Sequence, residues 1–307
     1  MSPVRDFLAG ACLIQALGIA GCAGVDDMGA MSSIGQIAQQ AGVLTSSQAN
    51  SLTQVAGAAG KTFQDITPEQ EYYIGRSVTA MALQRYRPYD KPALTRYVND
   101  VGQNVASHSN RALPYGGYRF LVVESDEVNA FAAPGGLILV TRGMLRTTQS
   151  EDELAAVLAH EVAHVQNRDG LKAIKTGRVN AAFTVLAVEA GKSVGNAQVA
   201  ELTRAFEGSI TDITNTLMND GYSRGLEYQA DASAVQILKG AGYNPQALVD
   251  SLTKMQGVMA QHPGGFSQTH PSPHDRIDHL KPLVVSGTAS AAPPARQQRY
   301  VAAMAGR

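Results

Sequence analysis

The run His160-Glu161-Val162-Ala163-His164 limits what this chain can fold into more than any other feature. On a helix of 3.6 residues per turn, His160, Glu161 and His164 fall within about a 100° arc, so they face one cavity only if the segment is helical. Two imidazoles one turn apart, with a carboxylate beside the first, supply two ligands and a base for a hydrolytic zinc site. The flanks agree with a helix. Ser150 and Glu153 have the spacing of a capping box, and Leu154, Val157, Leu158 and Val165 recur at helical intervals.

A catalytic zinc takes three protein ligands and keeps one position for water. The residues from Val165 to Gly170 lack the glycine and third histidine that would complete a metzincin pattern, so a downstream carboxylate is the better candidate. Glu227 and Asp231 lie on a segment whose Leu226, Ala230, Ala234, Val235 and Leu238 repeat at helical spacing. Four residues apart, the two carboxylates share a face. That suits Glu227 as a metal ligand and Asp231 as acceptor for the Nδ1 proton of a ligating histidine, His160 foremost, fixing its tautomer. One zinc ion per chain is the expected cofactor.

At this point the chain resembles a known family, the gluzincin metallopeptidases related to HtpX and the CAAX prenyl endopeptidases, in their soluble bacterial envelope branch. The resemblance spans about Thr67 to Leu280 and rests on four motifs in order. These are Asn129-Ala130-Phe131-Ala132-Ala133-Pro134-Gly135-Gly136, the histidine run, Glu227 to Asp231, and Thr269-His270-Pro271 followed by Arg276. It implies an α+β, predominantly helical, zincin-like fold with a small antiparallel sheet or hairpin beside the active-site helix. It also implies a zinc endopeptidase in which His160, His164 and Glu227 bind the metal and Glu161 is the catalytic base. His270 and Arg276 would lie near the active site, stabilising the transition state or bracing Asp231. An oxyanion needs a donor besides the metal; His270 is the first candidate, followed by Tyr222 and Tyr228.

Asn129 to Ala133 and Leu137 to Arg142 are β-prone runs around a Pro134-Gly135 pair suited to a type II turn. An exposed edge of such a hairpin pairs with extended substrate backbone, which makes Asn129, Ala130, Phe131 and Gly136 candidate substrate-binding residues and favours unfolded chains with little sequence demand. Helices are predicted from Pro68 to about Tyr86 and from about Lys91 to Ser107, a strand near Tyr118 to Glu124, and three late helices ending at Gly240, Gly257 and Leu280. The connection from Lys192 to Asp220 is long enough to fold over the cleft, acting sterically or through Glu201, Glu207 or Asp212.

The amino terminus bears on location. Arg5 precedes an apolar stretch from Phe7 to Ile19, too short to span a bilayer and suited to a signal-peptide core, although Asp6 is unusual there. Ile19-Ala20-Gly21-Cys22 resembles the bacterial lipobox, which implies cleavage before Cys22, lipidation of its thiol and, with Ala23 following, the periplasmic side of the outer membrane. If the lipobox is not used, the protein is periplasmic or secreted. Cys12 would leave with the signal, so the fold rests on its core without a disulfide. The reading is thus 1–21 lipoprotein signal, 22–61 lipidated terminus and linker, 62–284 metallopeptidase domain and 285–307 disordered tail. Ala181 to Ala190 reads as a buried helix rather than a membrane span. A net charge of −1 and the lack of a basic run with interleaved aromatics exclude nucleic acid as a partner. The partners expected are unfolded or misassembled envelope proteins and, through the anchor, a membrane. An envelope assembly factor or chaperone with a zinc-shaped cleft, and a maturation protease for one dedicated substrate, are the alternative functions.

Overall fold

Strands apolar on both sides need a cover on each face, and that requirement organises the molecule. A computed structural model describes residues 66–111, 113–174, 207–261, 269–270, 272–284 and 292–305. In it β1 (Arg119–Val123), β2 (Ala130–Ala133) and β3 (Leu137–Thr141) form a sheet in the order β1-β3-β2. β2 and β3 pair antiparallel, with Ala130 opposite Val140 and Ala133 opposite Leu137. The turn between them holds Gly135 at φ 76, ψ 11, the geometry of the third residue of a type II turn. β1 instead runs parallel to β3, Arg119 opposite Leu137 and Val123 opposite Thr141. The sheet is therefore mixed, not antiparallel. The chain crosses from β1 to the far edge before turning back into the centre, and hairpin letters carry no signal for that docking.

Side chains alternate cleanly between two cores. Phe120, Val122, Ala130, Ala132, Ile138 and Val140 join the larger one. Val123, Phe131, Ala133 and Leu139 join the smaller. The larger core is closed by α2 (Pro92–Ala106), α4 (Glu151–Asn167), α7 (Arg224–Gly240) and α8 (Gln246–Gln261), with α3 (Arg142–Thr147) between β3 and α4. On the opposite face lie α1 (Pro68–Arg85), the short α5 (Asp169–Lys172) and α6, the helical residues 207–215, which runs into a π-helical turn at Thr216–Asp220. Ile74 and Val78 of α1, with Ile210, Ile213 and Leu217, supply this second cover.

α1 starts at Thr67 with a complete capping box. Thr67 Oγ1 accepts from the Gln70 amide at 3.2 Å, and the Gln70 side chain accepts from the Thr67 amide at 3.0 Å. Its Glu71 is buried and takes a bidentate pair from Arg111 at 3.1 and 2.8 Å, the Gly135 amide at 3.2 Å and Arg168 Nε at 3.2 Å. One carboxylate thus ties α1 to the hairpin tip and to the end of α4. The approach is close: a Cβ on Gly135 would lie 2.7 Å from the Tyr72 Cα.

Two late boundaries differ from those predicted. Gly257 lies inside α8, which runs to Gln261, because burial of Leu252 and Met255 outweighs the cost of about 1 kcal/mol for an interior glycine. α9 (Pro273–Val284) continues past Leu280 through Pro282. A larger correction concerns the tail. Residues read as disordered include α10 (Pro294–Met304), whose Tyr300 and Met304 are buried in the main core. All described residues belong to one compact unit, Thr62–Arg307. The signal, Cys22, the linker and Ala181 to Ala190 lie outside the described residues, as does the Lys192 connection before residue 207. Among described residues no helix is long and apolar enough to cross a membrane.

Candidate metal centre and active site

Every residue of α4 from Glu151 to Val165 is buried. Ala155, Ala156, Ala159 and Ala163 let neighbours approach closely, and α7, whose Ala230 and Ala234 are buried in the same core, packs along it. At its start Ser150 Oγ accepts from the Glu153 amide at 3.2 Å, while the Glu153 carboxylate accepts from the Gln149 amide at 2.9 Å. The cap forms, with its return bond one residue earlier than the motif suggests.

α4 and α7 bring the expected donors together. The Nε2 atoms of His160 and His164 lie 3.1 Å apart, and the Glu227 carboxylate oxygens lie 3.4 Å from His160 Nε2 and 3.5 Å from His164 Nε2. A tetrahedral zinc with bonds of about 2.0–2.1 Å needs donors about 3.3–3.4 Å apart, so these three groups have the spacing of ligands that share one ion. Donor atoms of His160, His164, Glu227 and His270 all lie within 4.8 Å of one another, and all four residues are buried. The donor set suits a borderline cation of zinc's type.

The surroundings of this cluster are charged and paired. His160 Nδ1 faces Asp231 Oδ1 at 3.0 Å, and Arg276 donates to both Asp231 oxygens at 2.8 and 2.7 Å while lying 3.1 Å from Glu227. Burial pushes Asp231 up, but Arg276 prevails and holds it down at about 2. Burial likewise opposes Glu227, which His270 and Arg276 hold well below the carboxylate range. His164 is pulled down by burial, yet hydrogen bonds to Asp169 and Glu227 raise it to about 10; burial and Arg276 lower His160, and Asp231 and Glu227 bring it above its usual value. The carboxylates thus favour positive charge between the imidazoles, whether protons or a metal that displaces them.

Glu161 differs from its neighbours. It is buried, and its Oε1 has no hydrogen-bond partner. Beside it lies a cavity of about 10 Å3, room for one water, lined by Phe131, Ala132, Leu217, Tyr222, Thr269 and His270.

The other expected residues divide. His270 lies in the cluster, but its Nδ1 is bound to Glu227 at 2.9 Å, so that atom is engaged with a donor carboxylate. Asn129 is buried, its Oδ1 accepting from Thr269 Oγ1 at 3.3 Å, so it links the start of β2 to the His270 segment; its side-chain nitrogen Nδ2 has no hydrogen-bond partner. Phe131 lines the cavity, whereas Ala130 and Gly136 do not. The β2 edge is not exposed. All four of its residues are buried, because Leu217 and Met218 of the π-helical turn fold against the sheet. Tyr222 stacks on His164 with ring centroids 4.4 Å apart and has an enclosed, unpartnered hydroxyl. Tyr228 instead stacks on His279, not on any residue of the donor cluster. Sequence reasoning missed Asp169, buried and 2.8 Å from His164 Nδ1.

The sequence pattern of peptidase family M48 matches residues 92–284. The chain belongs to that family. Among curated proteins, this M48 chain is similar to the beta-barrel assembly-enhancing protease of Escherichia coli (strain K12), 26% identical over 84% of this chain and 53% of that protein. It is also similar to metalloprotease LoiP of the same organism, 25% identical over 86% of this chain and 90% of that protein. A protease HtpX homolog of Acaryochloris marina is 28% identical over 67% of this chain and 77% of its own. The chain spans about half the length of the beta-barrel assembly-enhancing proteases it matches.

Proposed function

We propose that this M48 metalloprotease is a zinc-dependent endopeptidase that hydrolyses peptide bonds of misfolded or misassembled envelope proteins, with His160, His164 and Glu227 as metal ligands and Glu161 as base. The observation that carries the reading is the unpartnered carboxylate oxygen of Glu161, enclosed beside a one-water cavity and next to a donor set with zinc spacing. A buried carboxylate left without a partner costs free energy, and such a cost persists at sites of chemistry. When bound, zinc supplies the Lewis acidity that polarises a peptide carbonyl and makes a water acidic near pH 7. Glu161 accepts the proton of the attacking water and returns it to the leaving amine. Asp231, fixed by Arg276, holds His160 in the tautomer that offers Nε2 to the metal. Phe131 and Ala132 form the wall along which substrate lies, once Leu217 and its neighbours move aside.

Glu161→Gln tests this. The variant should keep the fold and one zinc while losing cleavage of casein; full cleavage by it would contradict the reading, and cellular function surviving without cleavage would favour the chaperone alternative. The substrate class draws support from the similar proteins named for beta-barrel assembly. Envelope proteins accumulating on the Glu161→Gln enzyme in cells would support it, and an empty trap would oppose it. The lipobox letters support a lipid anchor at Cys22 on the periplasmic side of the outer membrane. Fatty-acid labelling lost in Cys22→Ala is the expected result.

A further inference from the structure

Both histidines of the α4 motif give their Nδ1 to a buried carboxylate that is itself held by a cation. For His160 the pair is Asp231 with Arg276, a relation legible from the spacing on α7. For His164 it is Asp169, whose Oδ2 lies 2.8 Å from Nδ1 and whose Oδ1 accepts from Lys172 Nζ at 2.7 Å. We propose that Asp169, braced by Lys172, is a positioning residue of the metal centre, fixing the tautomer and ring orientation of His164 so that Nε2 is presented to the ion. The inference rests on the reading of His164 as a ligand.

The local backbone is built for this contact. Asp169 follows His164 by five residues, an interval that a continuing helix would turn away from the ring. α4 ends instead at Arg168, the one described non-glycine residue with positive φ (58, with ψ 32), and this left-handed turn brings Asp169 back beneath the imidazole. A side chain in that conformation is strained, because its Cβ crowds the following carbonyl oxygen. Arg168 is held there by Glu71 at 3.2 Å and by a hydrogen bond to the Ile66 carbonyl at 2.6 Å. The Tyr222 ring covers one face of His164, so hydrogen bond and stack together leave the ring one orientation. Asp169 is fully buried, and a buried carboxylate is retained only where partners offset its desolvation. Here one partner is the candidate ligand itself. A nearby Lys172 alone would not need the carboxylate turned inward, since that amine is partly exposed.

The test uses the full chain. Zinc affinity, by chelator competition, and the visible spectrum of the cobalt-loaded protein are compared for wild type, Asp169→Ala, Asp169→Asn and Lys172→Met. Asp169→Ala should weaken zinc binding 10- to 100-fold and alter the cobalt spectrum. Asp169→Asn keeps an acceptor for Nδ1–H and should recover part of the loss. Wild-type affinity and spectrum in Asp169→Ala would overturn the proposal. Should that variant fail to fold, Lys172→Met decides, with a two- to tenfold loss of affinity supporting the role and none opposing it. The underlying ligand assignment fails separately, if wild type binds no stoichiometric zinc or Glu227→Gln binds it unchanged.

Discussion

The two ends of α4 bury similar side chains to opposite effect. At the amino-terminal end Glu151 is fully enclosed and fully answered: Tyr97 and Tyr243 donate at 2.8 and 3.0 Å, and Arg299 of α10 grips it with two nitrogens. Asp152 takes Arg296 at 2.9 Å and Glu153 takes Lys254 at 2.6 Å. Toward the carboxy-terminal end the Nε2 atoms of His160 and His164 face each other at 3.1 Å, and Glu161 Oε1 has no hydrogen-bond partner. Buried charge alone therefore does not mark a functional site. What separates the ends is arrangement: at the first, each carboxylate is answered by donors from other segments, and at the second the donor atoms of His160, His164, Glu227 and His270 all lie within 4.8 Å of one another.

Substitutions at each end should separate accordingly. The largest effect is expected for Glu161→Gln, which should lower kcat by about 10²–10⁴-fold while leaving thermal stability equal or higher, because no hydrogen bond to Oε1 is lost; activity assays and calorimetry on the same preparation check both halves. Glu151→Ala should do the reverse, destabilising the fold by about 3 kcal/mol as three donors lose their acceptor, with zinc affinity of the folded protein unchanged; denaturant titration beside zinc competition reads the two. A pH series sharpens the contrast further. Arg276 holds the Asp231 pKa at about 2, below the unfolded value, so the stability it contributes is full above about pH 4 and is lost as pH falls through 2. Metal-free wild type should thus lose more stability over that interval than Asp231→Asn, and parallel curves would refute the pairing. The smallest effect is Ser150→Ala, about 1 kcal/mol from the lost cap, visible as a modest fall in Tm without change in KM.

How much of this was legible in the letters depends on spacing. His160 and His164, and Glu227 and Asp231, sit four apart on helices, so their shared faces follow from periodicity, and the Asp231–His160 contact was expected only once a shared metal joined the two faces. Thr67 and Ser150 announce helix starts for the same local reason. Asp169 escaped because its contact depends on one left-handed residue, Arg168, which no hydrophobic pattern signals. The parallel docking of β1 on β3 and the engagement of His270 with Glu227 are tertiary choices between distant segments. α10 was illegible because its first residue, Pro294, closes an Ala-Ala-Pro-Pro run and only Tyr300 and Met304 of the helix are buried. Its ion pairs come through Arg296 and Arg299, which read as surface charges until their acidic partners are known.

Elemental analysis of the purified full chain tests the central claim most directly. One zinc per chain is expected in wild type and in Glu161→Gln, and almost none in Glu227→Gln or His164→Ala. A wild-type protein without stoichiometric metal, or variants that retain it, would contradict the account.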